Sequence, residues 1–95
     1  AGDAICRHGG EEFVLLLPGT GIRDACCVAE RIRGAMAALV LALPDGRGVP
    51  APTLSLGVAE LGPGLGELPG LIQAADAALY EAKRGGRNRC CRYGA

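Results

Sequence analysis

The sequence has few aromatic residues: one phenylalanine, two tyrosines and no tryptophan among 95 residues, although 49% of the chain is hydrophobic. Its core therefore has to be built from Leu, Val, Ile and Ala, without large flat side chains. Net charge is also lacking, since ten Lys and Arg balance ten Asp and Glu. That balance argues against broad nucleic-acid binding, which needs a basic face, but leaves room for a local cationic pocket. No apolar run approaches the roughly 18 residues that span a membrane, and the longest, Ala35 to Leu43, is far shorter. Ala1-Gly2-Asp3 shows no secretory leader, so a cytoplasmic location without membrane contact is expected. The five cysteines (Cys6, Cys26, Cys27, Cys90, Cys91) contain no C-x-x-C, and the single His8 stands at no metal-ligand spacing to them. They read as small buried hydrophobes in a reducing compartment. Neither G-x-G-x-x-G nor G-x-x-x-x-G-K-[ST] occurs, so both common phosphate fingerprints are absent.

The length suits one small domain spanning residues 1–95, burying a little over ~60% of its unfolded surface. Asp3 to Arg7 reads as a short strand, His8-Gly9-Gly10 as a turn, and Glu12 to Leu17 as a second strand. The near-continuous apolar run of that second strand predicts a central position, buried on both faces. Thr20 is a plausible N-cap for a long helix, whose apolar face recurs from Ile22 through Met36, Leu39, Val40 and Leu43 and which stops by Pro44-Asp45-Gly46. Residues 45–52 read as a loop, and Thr53 to Ala59 as an alternating strand. Gly57 inside that strand predicts a bulge or the close approach of a neighbouring element. After a plain connection at Gly62 to Gly66, a second helix is expected from Pro69 to Lys83, and a last strand from Asn88 to Tyr93. The order β-β-α-β-α-β gives an α+β fold, or α/β sandwich.

Two clusters carry chemistry. In Arg7-His8-Gly9-Gly10-Glu11-Glu12-Phe13, the glycines let backbone approach a ligand, and adjacent carboxylates suit a hard cation such as Mg²⁺. A plain hairpin with a charged tip would carry the same residues. In the second cluster, Lys83 closes a helix and Arg87 follows Gly85-Gly86, so the two basic side chains can fork onto a phosphate. The plainer role is to offset the dipole at the helix C-terminus.

Taken together, these stretches resemble the GGDEF domain family, the diguanylate cyclases. The resemblance runs through Gly9-Gly10-Glu11-Glu12-Phe13, Leu17-Pro18-Gly19-Thr20, Ala29-Glu30-Arg31-Ile32-Arg33, Thr53 to Ala59, and Ala75-Asp76 to Lys83 with Gly86-Arg87-Asn88. It implies a nucleotidyl-cyclase-like βαββαβ-type sheet, here without its N-terminal strand and helices. It also implies a homodimer that joins two GTP molecules into cyclic di-GMP and pyrophosphate. Gly9 and Gly10 match the glycines against the nucleotide. Glu11 matches the ligand of Mg²⁺ (or Mn²⁺), and Glu12 its acidic neighbour. Lys83 and Arg87 match the residues that hold GTP phosphates. Asp3 and Arg31 match parts of the product-inhibition site, whose other arginine would precede residue 1.

The family's Asp-x-Asp-x-Phe-Lys signature, with the second metal ligand, does not occur, and neither do the residues that read guanine. This chain therefore corresponds to the C-terminal part of a GGDEF domain and is expected to be inactive alone. The alternative is a non-catalytic GGDEF-like module that binds GTP or cyclic di-GMP. A third reading is a fragment that only pairs through its exposed sheet edge.

Overall fold

The structure is a computed structural model that describes residues 4–8, 14–62 and 67–94. Its eight elements are β1 (Ala4–His8), β2 (Val14–Leu17), α1 (Ile22–Ala37), β3 (Val40–Ala42), β4 (Gly48–Pro50), β5 (Leu56–Glu60), α2 (Leu68–Arg84) and β6 (Cys90–Arg92). Four strands form one sheet in the order β2-β1-β5-β6. β1 runs antiparallel to both β2 and β5, while β6 runs parallel to β5. A parallel pair needs a crossover, and α2 supplies it.

Strand alternation divides the core in two. Ala4, Cys6, Leu56 and Val58 point to one face and pack with Ala25 and Ala29 of α1. Ile5 and Ala59 point to the other face and pack with Leu71, Ala74 and Ala75 of α2. The result is a mixed sheet with one helix on each side, the α+β sandwich expected. The helices meet the sheet mainly through alanines, so they lie close to it. Gly57 is the extreme case: a Cβ there would stand 2.1 Å from the Ala75 carbonyl oxygen. The close approach predicted from that glycine is present, and α2 is the element that approaches.

Three expectations need correction. First, β2 lies at the sheet edge, with Val14 and Leu16 about half exposed. Among the described residues β2 pairs with β1 alone, so it is not central. Only Leu15 and Leu17 pack against the core on the α1 side. Second, α1 stops at Ala37 rather than near Pro44. The apolar residues 39–43 instead enter a two-stranded sheet of β3 and β4, with Leu41 opposite Val49. A short apolar run fits either period, and here pairing with residues 48–50 decides it. Leu43 and Arg47 close the turn (N···O 2.8 Å), Gly46 takes φ +88°, and Asp45 Oδ1 accepts a bond from the Arg47 amide. The expected loop at 45–52 therefore contains a strand, and the order becomes β-β-α-β-β-β-α-β.

Third, Thr20 does not cap α1. Gly21 occupies the cap position, in extended conformation and with no side-chain cap of its own. The Ile22 amide instead donates to Glu60 Oε1 at 3.1 Å, from the end of β5. A carboxylate at a helix N-terminus satisfies an orphan donor and complements the dipole. Glu60→Ala is expected to lower stability by about 1 kcal/mol, read as a lower urea midpoint with unchanged slope. An unchanged midpoint would remove Glu60 from this role. Among the described residues, no helix is long and apolar enough to cross a membrane.

Candidate functional site

Gly9, Gly10, Glu11 and Glu12 lie outside the described residues, as does Asp3. The strands on either side of the Gly-Gly-Glu-Glu-Phe segment are described: β1 ends at His8, β2 begins at Val14, and Arg7 pairs opposite Val14. Arg7 ties this end of β1 to α2, its Nε lying 3.0 Å from Asp76 Oδ1. The contact is an ion pair rather than an aligned hydrogen bond, and it leaves that buried oxygen without a directed donor among the described residues. No group of three or more His, Cys, Asp or Glu among the described residues could hold a metal ion.

Lys83 and Arg87 both lie at the C-terminal end of α2. Lys83 is partly buried in the last turn, and Arg87 is exposed just beyond it. The turn between them closes the helix tightly. The Arg87 amide bonds back to the Ala82 carbonyl at 3.0 Å, and the Gly86 amide to the Lys83 carbonyl at 3.4 Å. This is the Schellman pattern, with Gly86 at φ +122° supplying the conformation it needs. Arg89 folds back over the two glycines and donates from Nε to the Arg87 carbonyl at 3.1 Å. A Cβ on Gly86 would lie 2.6 Å from Arg89 Nη2, so the glycine also makes room for that side chain.

From Ala82 to Arg92 the sequence holds Lys83, Arg84, Arg87, Arg89 and Arg92 and no carboxylate. The concentration of positive charge suits an anion. It also overcomes the helix C-terminus, whose partial negative charge would repel one. Arg84 lies 6.0 Å over the Tyr80 ring, which occupies one of these cations.

Beyond Gly86 the backbone stays left-handed, with φ 64° at Arg87 and 47° at Asn88. Non-glycine residues there cost about 1 kcal/mol or more each unless their surroundings impose the conformation. The Asn88 amide donates to the Ser55 hydroxyl oxygen at 3.2 Å, and Arg33 Nη1 donates to Asn88 Oδ1 at 2.8 Å. Arg33 is also held by Glu30, which accepts from its Nε at 2.8 Å. Arg33 holds the Glu30 carboxyl below its ordinary range. These partners come from α1 and from the segment before β5, far from Asn88 in sequence, which is why pattern reading did not find them. A buried serine at the entrance to a strand was the one available signal.

Arg31 is exposed on α1, across the sheet from α2. The cysteines behave as hydrophobes: burial pushes the Cys6 thiol up to about 11, and burial with the Glu30 contact pushes Cys90 up to about 12. Both stay protonated near neutral pH, unsuited to nucleophilic attack.

The family model described as "Diguanylate cyclase, GGDEF domain" matches residues 1–89. The response regulator PleD of Caulobacter vibrioides is 41% identical over 87 residues, covering 90% of this chain and 19% of that protein. The diguanylate cyclase DgcM of Escherichia coli K12 is 44% identical over 88 residues, covering 93% of this chain and 20% of its own. Among solved structures, the GGDEF domain of DgcB from Caulobacter crescentus, in complex with c-di-GMP, superposes with a TM-score of 0.80 at 35% identity. The superposition covers 92% of this chain and 49% of that one. The active GGEEF domain of a diguanylate cyclase from Vibrio cholerae gives 0.78 at 37% identity, covering 95% and 56%. The chain thus spans about a fifth of those two relatives and about half of those two solved chains.

Proposed function

Because this chain belongs to the GGDEF family of diguanylate cyclases, we propose that it forms part of a domain that condenses two GTP into cyclic di-GMP and pyrophosphate. The observation that carries the reading is the pairing of two features in one small sheet. The Gly9 to Phe13 signature joins β1 to β2, and the basic turn at Lys83 and Arg87 ends α2, the helix that Asp76 ties to β1.

In this reading Lys83 and Arg87 hold the GTP phosphates and offset their charge. Gly9 and Gly10 let the backbone lie against the nucleotide. Glu11 and Glu12 offer hard oxygen donors, which suit Mg²⁺ or Mn²⁺. Such an ion, when bound, activates the attacking hydroxyl and neutralises phosphate charge. The turn that carries Arg87 is already held in shape, so little reorganisation is needed when charge develops on the phosphate. Each domain holds one GTP, and a C₂ homodimer brings two together. Asp3 and Arg31 would bind product at an inhibitory site, and Arg31 is exposed for such a contact.

The natural protein that carries this sequence is expected to convert GTP with Mg²⁺ into cyclic di-GMP, and failure to do so would sink the reading. The 95-residue chain, with about half the length of a solved GGDEF chain, is expected to make none by itself. Product from the chain alone would overturn that second expectation.

A further inference from the structure

The turn after α2 holds three successive residues at positive φ: Gly86, Arg87 and Asn88. Two of them carry side chains, so the fold must impose this conformation. The contacts that impose it converge on Asn88. Its amide is taken by the hydroxyl of Ser55, itself only 4% exposed, and its side-chain oxygen by Arg33. Arg33 reaches Asn88 with Nη1 while its Nε bonds Glu30. A guanidinium can make both contacts because its donors diverge in one plane, whereas a lysine ammonium cannot match that fork. Asn88 directly follows Arg87, so fixing Asn88 fixes the direction in which Arg87 leaves the backbone.

We infer that Arg33, Ser55 and Asn88 form a clamp that aims Arg87 at a phosphate group, with Arg33 a positioning residue that does not itself touch the phosphate. The inference rests on the proposed phosphate role of Lys83 and Arg87. The clamp links the anion-binding turn to α1, the helix on the opposite face of the sheet, through Arg33.

The test is isothermal titration of the 95-residue chain with inorganic pyrophosphate, a probe that reads the basic turn without guanine contacts. The wild-type chain is expected to bind, and Arg87→Ala to weaken binding by about 10-fold or more. Arg33→Ala and Arg33→Lys are each expected to weaken it by about 3- to 10-fold. Binding by Arg33→Ala should lose less of its dependence on salt than binding by Arg87→Ala, because the Arg87 charge stays on the turn even when it is poorly aimed. Asn88→Gly keeps the chain folded, since glycine takes this φ freely. It is expected to melt at or above the wild-type temperature, yet to bind about as weakly as Arg33→Ala. If Arg33→Ala and Asn88→Gly bind within about twofold of wild type while Arg87→Ala does not, the clamp is overturned and the phosphate role stands. If the wild-type chain does not bind, or Lys83→Ala and Arg87→Ala leave binding unchanged, the phosphate role falls and the clamp with it.

Discussion

An alanine at position 57 is expected to drive α2 away from the sheet and to cost the chain about 3 kcal/mol or more, a large fraction of its stability. A Cβ there would stand 2.1 Å from the Ala75 carbonyl oxygen, 2.3 Å from the Leu79 amide nitrogen and 2.8 Å from Leu79 Cα. All three are backbone atoms, so no rotamer change relieves the clash. Either the helix or β5 has to move, and β5 is hydrogen-bonded on both sides. Overpacking usually costs about 1–3 kcal/mol, and a contact with rigid backbone belongs at or above the top of that range. A domain this size has roughly 5–10 kcal/mol in total, and loss of the α2 layer removes the core of Ile5, Ala59, Leu71, Ala74 and Ala75. Gly34→Ala is the matching control. Its Cβ would meet nothing within 4 Å, in the interior of α1, so it is expected to stabilise by up to about 1 kcal/mol. Urea unfolding followed by circular dichroism reads both, and a Gly57→Ala midpoint near that of wild type would refute the close-packing account.

The second large effect concerns binding. Replacing Lys83 and Arg87 together with alanine is expected to weaken pyrophosphate or GTP binding by at least about 100-fold. Each charge-assisted bond lost is worth about 1.5–3 kcal/mol, or about 10- to 100-fold. Arg87→Lys keeps the charge but loses the planar fork, so an intermediate loss is expected. Arg87→Gly should separate stability from binding. At φ 64° glycine relieves the backbone strain, so the melting temperature is expected to rise while binding falls as far as in Arg87→Ala. Strain retained at a position with a binding task would show as that opposition of signs. Equal binding by Arg87→Gly and wild type would dissociate Arg87 from the site.

Much of this architecture was legible in the sequence wherever a local pattern and a tertiary requirement coincide. The two helices, β1, β5 and β6 follow from period and punctuation, and Gly57 signals either a bulge or a close neighbour, of which the structure has the close neighbour. The hairpin of β3 and β4 was not legible, because residues 39–43 satisfy the helical period of α1 and only their pairing with 48–50 selects a strand. β2 misled for a related reason: a continuous apolar run describes hydrophobicity on both faces but not whether another strand lies beyond. At the site, Lys83 and Arg87 are legible as members of a motif, and both lie at the C-terminal end of α2. Glu11 and Glu12 are legible only from the signature. Glu60, Arg33 and Ser55 act through partners 38, 55 and 33 residues away, and no local pattern encodes such distances.

The parallel pairing of β5 with β6 has a consequence for how the basic turn comes into being. β5, α2 and β6 follow one another along the chain, so their mutual contacts need no residue from outside this stretch. The pairing of β1 with β5, which sets Cys6 opposite Val58, instead draws in a strand from before α1. Ser55, directly before β5, belongs with Lys83, Arg87 and Asn88 to the same stretch, and Arg33 comes from outside it. The basic turn is thus assembled within one continuous stretch, β5 to β6, and is joined to α1 by Arg33 and by the packing of β5 and Cys90 on that helix.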